Sequence, residues 1–311
     1  MIAKNLAWVG LVSTDADAAA AVFERHLGLP RTDLASGAGR VPVFSIGRSA
    51  LAVFSAGHPL VGGDAKPGVH HIALGVDDPG QTARTAAVAG IPAARAMAAG
   101  LGGRGCIALE QGAMLGVRTF LTEPIELPRH SGGPLERIDH LGVASTDLRE
   151  DEALFCGSFG FEVESRQTDM EVNMAVESFT SDKYGVVYHS REPEPVGGLR
   201  VCFITVGDCE LEFLANFNPR QGGAVVRGQP GNTKQDQGAI TRFVASRGRG
   251  LHHIALKAAD IDGTLGAMAG AGLEMIDTRG RPGSRRALIG FAHPRALGGV
   301  LMHLVQRDAI Q

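Results

Sequence analysis

The sequence predicts an α+β fold in which four βαβββ units pair into two domains. Two internal repeats carry this prediction. Residues 6–15 (LAWVGLVSTD) recur as residues 138–147 (IDHLGVASTD), at an offset of 132 (138 − 6). Residues 68–74 (GVHHIAL) recur as residues 250–256 (GLHHIAL), at an offset of 182 (250 − 68). Two matches in the same order along the chain are hard to attribute to chance, so they indicate a repeated structural unit.

Each unit has the same local pattern. An apolar run of strand length is followed by a turn that contains Ser-Thr-Asp or Asp-Asp. Asp15 and Asp147 stand where a side-chain oxygen accepts the free amide hydrogens at the start of a helix. Each helix is expected to end near a glycine, because the left-handed C-cap conformation favours a residue without a Cβ. These glycines are Gly28, Gly90, Gly160 and Gly272.

Short strands are predicted after each helix from apolar runs of strand length. They are VPVFSIG and ALAVFSA in unit one, CIALE and VRTFLT in unit two, LRVCFITVG and CELEFLAN in unit three, and ALIGFAHP and VLMHLVQ in unit four. In each of the four units, the first strand, the helix and the later strands together give the order βαβββ.

The predicted domain boundaries place an N-terminal domain at 1–129, a linker at 130–136 and a C-terminal domain at 137–311. The linker contains the sequence HSGGP, which is rich in Gly and Pro. The second half also carries two extra segments, 181–198 and 220–238, whose Gly, Pro and charged residues predict loops. Such loops could be lids beside a site, or ordinary surface insertions.

The composition excludes several classes of protein. A net charge of −3 and a pI near 6.4 give no electrostatic reason to expect nucleic acid or anionic membrane as a partner. Four scattered cysteines without a CxxC pair argue against a zinc ribbon or a disulfide framework and favour a reducing compartment. No stretch reaches the roughly 18 apolar residues of a membrane span. The sequence therefore predicts a cytoplasmic protein with a small-molecule partner.

The second half resembles methylmalonyl-CoA epimerases of the vicinal oxygen chelate (glyoxalase/bleomycin resistance/extradiol dioxygenase) superfamily. The matching strings are RIDHLGVA (137–144), ELEFLANFNP (210–219), AITRFVASRGRGLHHIAL (239–256) and FAHPRALGGVLMHL (291–304). The resemblance implies that each pair of units forms a cup-shaped half-barrel, so the chain would contain two vicinal oxygen chelate half-barrel domains. It also implies a divalent metal on inward-facing residues of the first and last strands of both units.

Carried over residue by residue, the resemblance implies four metal ligands: His140, Glu212, His253 and His303. His303 is a departure, because the superfamily members in question usually have Glu there, and that carboxylate is thought to lie near the proton-transfer chemistry. The residue types agree with this set independently. Three imidazoles and one carboxylate on separate strands are suitable ligands for one divalent ion of Fe, Co, Ni, Zn or Mn.

Two neighbours of these residues leave alternatives open. Side chains alternate across a strand, so only one of His252 and His253 is expected to face the cup, and the resemblance points to His253. Glu210 lies two residues from Glu212 and is expected on the same face. Glu212 is therefore the least certain ligand, and both glutamates are candidates for the catalytic base.

The N-terminal half lacks such a ligand set. At the matching positions it carries Trp8, Ala52, His71 and Phe120. Because Trp, Ala and Phe cannot bind a metal, the sequence predicts that this domain keeps the fold but has lost its metal site.

Other residues are weaker candidates for function. The segment DTRGRPGSRR contains four arginines, of which Arg281 and Arg285 are candidates to hold a phosphate or carboxylate of the substrate through forked hydrogen bonds. A solvated basic loop is an equally good interpretation. Tyr184, Tyr188 and His189 could act as acid or base groups if their segment folds over the metal, although ordinary loop residues are the better expectation.

The resemblance implies three classes of function, which the sequence leaves open. The first is a metal-dependent isomerase, epimerase or lyase that acts through an enolate or enediolate of a small carbonyl or acyl substrate. The second is an extradiol-type ring-cleaving Fe(II) dioxygenase, which the pairing of a metal-free domain with an active one favours and His303 disfavours. The third is a binding or resistance protein, which needs a cavity but no base. A homodimer is possible for such folds.

Overall fold

Two eight-stranded sheets form the framework of the molecule, and each contains two βαβββ units. The computed structural model describes residues 2–3, 5–37, 39–97, 99–128, 132–217 and 238–307, without the side chains of residues 95–97, 171, 173 and 194–196. The predicted α+β fold of four units is confirmed by the strand order of both sheets.

The first sheet is built from eight strands of the N-terminal half. They are β1 (Asn5–Ser13), β2 (Arg31–Ser36), β3 (Gly39–Ile46), β4 (Ser49–Ser55), β5 (Gly68–Gly75), β6 (Ala93–Met97), β7 (Cys106–Leu109) and β8 (Thr119–Thr122). Their order across the sheet is β2-β3-β4-β1-β5-β8-β7-β6. The first and last strands of the two units are therefore neighbours at the centre.

The second sheet repeats this arrangement. The strands of the C-terminal half are β9 (Leu135–Ala144), β10 (Glu162–Asn173), β11 (Val176–Ser181), β12 (Gly185–Ser190), β13 (Glu194–Val206), β14 (Cys209–Phe217), β15 (Gly250–Ala258), β16 (Arg281–Pro282), β17 (Leu288–Ala292) and β18 (Met302–Gln306). The order is β10-β13-β14-β9-β15-β18-β17-β16, while β11 and β12 form a separate two-stranded sheet. The central strands β14, β9, β15 and β18 match β4, β1, β5 and β8.

Five α-helices connect the strands in the part of the chain that the structure describes. They are α1 (Ala16–Ala21), α2 (Pro79–Val88), α3 (Leu148–Glu152), α4 (Ala239–Arg247) and α5 (Ile261–Gly270), and π-helical turns extend α1 to His26 and α3 to Ser158. The side chain of Asp15 accepts a hydrogen bond from the Ala18 amide, and Asp147 accepts one from Arg149, as predicted for N-caps. The four glycines expected near the helix ends have φ between +67° and +85°, the left-handed region.

One predicted loop is wrong. Part of the segment 181–198 forms regular structure, because β11 and β12 make a hairpin and β13 begins at Glu194. The loop was predicted from the Gly, Pro and charged residues of the segment. The strands VESFTS and GVVYHS nevertheless contain β-branched and aromatic residues, which favour strands. Residues 220–237 of the other insertion lie outside the described residues, and Gly238 is the N-cap of α4.

The two halves pack closely against each other. One continuous apolar core contains residues from both sheets, including Leu11, Ile72, Leu141 and Ile254. Backbone hydrogen bonds cross the junction from Thr14 N to the Gly298 carbonyl, at 2.9 Å, and elsewhere along it. The domain boundaries at 129 and 137 stay predictions. Within the described residues, no helix is both long and apolar enough to cross a lipid bilayer.

Candidate metal centre

Three imidazoles converge at the centre of the second sheet. His140, His253 and His303 lie on β9, β15 and β18, and one ring nitrogen from each lies within 4.8 Å of the other two. The Nε2 atoms of His140 and His303 are 3.2 Å apart. All three side chains are buried. The central position of the first and last strands of each unit brings together residues that are up to 163 positions apart.

Glu212 on β14 brings a carboxylate to the same point. Its Oε2 lies 3.3 Å from Nε2 of His253 and 3.4 Å from Nε2 of His140. Burial alone would raise the pKa of Glu212, but the electrostatic effect of His140 and the hydrogen bond with His253 bring it below its usual value. Glu212 is therefore an anion beside the three imidazoles, as a metal ligand must be.

Asp139 and His252 fix which ring nitrogen faces the centre. Nδ1 of His140 lies 2.9 Å from a carboxylate oxygen of Asp139, and Nδ1 of His253 lies 2.9 Å from Nδ1 of His252. With Nδ1 occupied in this way, His140 and His253 each direct Nε2 at the centre. Partners of this kind set the tautomer of a metal-binding histidine and raise its basicity.

The donor set fits a divalent cation. If Nδ1 of His140 donates its proton to Asp139, Nε2 carries a lone pair that faces the other imidazoles and the Glu212 carboxylate. Acceptors that face one another repel unless a cation lies between them. Burial holds the pKa of His253 below its usual value and the pKa of His303 well below it, so both rings stay neutral and able to bind metal at neutral pH.

His252 does not follow the expected alternation. The sequence predicted that only His253 faces the cup, but both residues line the same cavity. The pairing of β15 with β9 skips from Leu251 to His253, which leaves His252 as the extra residue of a β-bulge. A bulge redirects a side chain locally, so two consecutive histidines reach one side of the sheet.

Gly142 makes room for His253. These two residues are paired across β9 and β15, and a Cβ added to Gly142 would lie 2.0 Å from Cε1 of the His253 ring. No side chain larger than hydrogen can occupy this position without moving the imidazole. Gly10 has the same relationship with His71 in the first sheet.

A cavity of about 460 Å³ opens above the four residues. Most of its wall is apolar, with Leu199, Leu214, Ile240 and Ile289 among the lining residues. The charged residues on the wall are fewer. Besides the four-residue cluster, they are Asp169, Arg281, Arg285 and Arg307. A pocket of this size is within the usual range for a small organic ligand.

The two predicted substrate-binding arginines both line this cavity, but their environments differ. Arg285 is neutralised, because it pairs with Asp139 at 3.1 Å and with Glu210 at 2.9 Å and lies over the Phe203 ring. Arg281 pairs with Asp277 through Nε, whereas its Nη1 is buried and has no hydrogen-bond partner among the described residues. Arg281 therefore has a donor available for a bound anion.

Glu210 lies apart from the cluster. Its carboxylate pairs with Arg285 at 2.9 Å and with Arg307 at 3.1 Å, and it is not among the described residues that line the cavity. Both of its carboxylate oxygens accept hydrogen bonds from guanidinium groups, which leaves them less available to a substrate. Glu210 is thus a poorer candidate for proton transfer than Glu212.

The first sheet carries a different set at the same positions. The strand registers superimpose: Trp8 pairs with Ala73 as His140 pairs with Ala255, and Gly10 pairs with Ala52 as Gly142 pairs with Glu212. The remaining counterparts are His71 for His253 and Phe120 for His303. The Trp8 indole donates a hydrogen bond to Nε2 of His71 at 3.1 Å, which occupies the lone pair that a metal would need.

The other candidates lie away from the centre. Tyr184 is 77% exposed and Tyr188 is 71% exposed, and neither they nor His189 line the cavity among the described residues. Conversely, the sequence analysis missed Asp139 and Asp169. Asp139 stands next to His140 in the string RIDHLGVA, and a carboxylate beside a proposed ligand is a signal that could have identified it. Asp169 lies on β10, which no apolar pattern marked.

Comparisons with known proteins agree with this architecture. Residues 139–291 match the profile of the Glyoxalase/Bleomycin resistance protein/Dioxygenase superfamily. The uncharacterized protein YqjC of Bacillus subtilis (strain 168) is 21% identical over 172 residues, which cover 55% of this chain and 93% of that protein. A mutant of 4-hydroxymandelate synthase from Streptomyces coelicolor is 17% identical, with a TM-score of 0.64, and the match covers 100% of this chain and 94% of that one.

A variant of methylmalonyl-CoA epimerase from Streptomyces coelicolor is 24% identical, with a TM-score of 0.38, and the match covers 57% of this chain and 98% of that chain. The two-domain fold is the vicinal oxygen chelate fold. The C-terminal half of the chain carries the match to the glyoxalase/bleomycin resistance/dioxygenase superfamily, over 153 (291 − 139 + 1) of the 311 residues.

Proposed function

We propose that the protein is a metal-dependent isomerase, epimerase or lyase that acts through an enolate of a small carbonyl or acyl substrate. One divalent ion would be held by His140, Glu212, His253 and His303. The observation that carries the proposal is the number of donors: the Glu212 carboxylate lies within 3.4 Å of two of the three imidazoles, which makes a set of four.

The donor number distinguishes two kinds of chemistry. A six-coordinate ion with four protein ligands has two positions left, which suffices for two neighbouring oxygen atoms of a substrate. Iron oxygenases with a three-ligand set keep a further position open for dioxygen. When bound, the ion supplies Lewis acidity that stabilises negative charge on the substrate oxygens.

The chain's own residues supply the remaining functions. The buried Nη1 of Arg281 offers a hydrogen bond to a carboxylate or phosphate of the substrate, and the apolar wall excludes water. Among the described residues, Asp169 is the carboxylate on the cavity wall outside the four-residue cluster, so we assign it the role of proton acceptor. Glu212 would then serve as a ligand rather than as the base.

Hydrogen exchange tests this proposal. The metal-loaded protein would be incubated in D₂O with 2-oxo acids and acyl thioesters, and proton NMR would follow the signal of the hydrogen next to the carbonyl. We expect exchange that requires metal and is lost in Asp169→Asn while that variant still binds metal. Absence of exchange across the panel, with the metal site fully loaded, would contradict the proposal.

A dioxygenase is the second candidate, and one observation favours it. The three imidazoles form a cluster by themselves, which would be a complete three-ligand set if Glu212 stayed unbound. Glu212 would then be free to act as a base. Oxygen consumption by the iron-loaded protein with catechols or 2-oxo acids, measured with an oxygen electrode, would support this alternative over the enolate chemistry.

A further inference from the structure

A second cavity, of about 220 Å³, lies between the two halves of the chain. It is smaller than the roughly 300–1,000 Å³ of ordinary ligand pockets, so its occupant must be small. Basic residues from both halves line it, with Asp64 as the one carboxylate among the described lining residues. These basic residues are Lys66, His70, Arg118, Arg247 and Arg249.

Two buried hydrogen-bond donors on this wall have no partner. Nε of Arg249 is buried and forms no hydrogen bond within the described residues, and the same is true of Nε2 of His70. His70 is buried, with 5% of its surface exposed. The Val61 backbone lies near enough to raise the pKa of His70 but completes no hydrogen bond with Nε2. Donors left in this state are costly unless a ligand accepts from them.

A relay of hydrogen bonds fixes the proton of His70. The Trp8 indole donates to Nε2 of His71, so the neutral His71 ring carries its proton on Nδ1. That proton is donated to Nδ1 of His70, 2.9 Å away. The neutral His70 ring therefore carries its own proton on Nε2, the atom without a partner. His70 thus presents a donor, and the group that it requires is an acceptor.

Positive charge accompanies these donors. Arg118 forms no ion pair within the described residues. Burial lowers the pKa of its guanidinium, because the group loses contact with water and gains no carboxylate partner among those residues. The two Nη atoms of Arg249 pair with Glu150 and Asp151. The hydrogen-bond donor that Arg249 can offer to a ligand in the cavity is therefore its Nε. Arg247 is held in place by a 2.9 Å hydrogen bond to the Pro67 carbonyl.

We infer that this cavity is a second binding site, for a small phosphate, held by Arg118, His70 and Arg249 at the junction of the two halves. The inference is independent of the metal centre. A phosphate offers acceptors in several directions, which suits donors that come from both halves. Because the cavity wall includes Gly250 and Leu251 at the start of β15, a bound phosphate would join the N-terminal half to the strand that carries His253.

Calorimetric titration of the full-length, metal-loaded protein tests the site. The probes are inorganic phosphate and ethyl phosphate, in phosphate-free buffer at pH 7.5. Arg118→Gln removes a lining charge that makes no structural ion pair. Arg295→Gln is the matched control, because it removes the same charge from a side chain that is 77% exposed and not among the lining residues.

The expected result is saturable phosphate binding to the wild-type protein and to Arg295→Gln. Arg118→Gln should weaken it about tenfold or more, the effect of losing one charged hydrogen bond. Ethyl phosphate binding as tightly as phosphate would identify a phosphate ester as the ligand, and phosphate alone would identify the free ion. No binding of either probe, or equal weakening in both variants, would overturn the inference. So would weakening in Arg281→Gln instead, because the anion would then lie in the metal cavity.

Discussion

Nδ1 of His140 lies 2.9 Å from the carboxylate of Asp139, the residue immediately before it. Neighbours on a regular strand point to opposite sides, but the pairing of β9 with β15 skips Asp139, which therefore sits in a bulge. Burial would raise the pKa of Asp139, but the hydrogen bond from His140 and the charges of Arg307 and Arg137 hold it below its usual value. The local irregularity thus supplies an anion that orients a proposed ligand.

Replacement of Asp139 by Asn should weaken metal binding. The change keeps the shape of the side chain but removes the charge that orients and polarises His140, and losses of such partners typically reduce metal affinity about 10–100-fold. Competition with a chromogenic chelator would measure the affinity. Asp277→Asn is a suitable control, because Asp277 is also buried and paired with an arginine. Unchanged affinity in Asp139→Asn would show that His140 does not depend on Asp139.

Gly142→Ala should release the metal while its counterpart Gly10→Ala retains it. Each new Cβ would lie 2.0 Å from an imidazole carbon, of His253 in one case and of His71 in the other. Both variants should lose stability, since overpacking typically costs about 1–3 kcal/mol. Thermal unfolding would measure the loss of stability in each variant. Metal analysis would measure the difference in their metal content. Metal loss in both variants, or in neither, would contradict the assignment of the site to the second half alone.

Arg281→Gln should raise KM more than it lowers kcat. Its unpartnered Nη1 is assigned to the anionic group of the substrate, and loss of one charged hydrogen bond corresponds to about a tenfold effect or more. Steady-state kinetics with any substrate found in the exchange screen would measure the two constants. Arg286→Gln, in the same segment but not among the described cavity residues, is the control. Equal effects of both substitutions would indicate a general electrostatic role of the segment.

Acid should destabilise the protein through His70. Burial lowers the pKa of His70 to about 4, from a reference of 6.5, so the folded state holds it neutral. Below pH 6.5 the unfolded chain takes up a proton that the folded chain does not. The stabilising contribution of neutral His70 is therefore complete above pH 6.5 and is lost as the pH falls toward 4, at about 1.4 kcal/mol per pH unit.

Urea unfolding of metal-free protein in phosphate-free buffer, between pH 7.5 and 4.5, would measure this slope. His70→Leu should reduce the slope of the unfolding free energy against pH by the contribution of one proton. His26→Leu, at an exposed position, should leave that slope unchanged. A slope that is the same in wild type and His70→Leu would show that His70 is protonated equally in both states.

Much of the fold could be predicted because it repeats. The strings GVHHIAL and GLHHIAL lie on β5 and β15, which hold the same place in the strand orders of the two sheets. The hairpin of β11 and β12 could not be found in this way, since it has no counterpart in the first half. Its side chains are mostly exposed, so no alternation of apolar and polar residues marked it.

The arrangement around the site was harder to predict than its four proposed ligands. Strand alternation gave the wrong position for His252 and no role for Asp139, because bulges depend on pairing between strands rather than on local sequence. The ion pairs of Glu210 with Arg285 and Arg307 join residues that are 75 and 97 positions apart, which no local pattern reveals.

The central claim is one metal site per chain, in the C-terminal half. Elemental analysis of anaerobically purified protein, compared with His253→Ala and His71→Ala, tests it most directly. The account predicts about one divalent ion per wild-type chain and per His71→Ala chain, and none in His253→Ala. Equal loss of metal in both variants, or a wild-type protein that binds no metal after reconstitution, would contradict it.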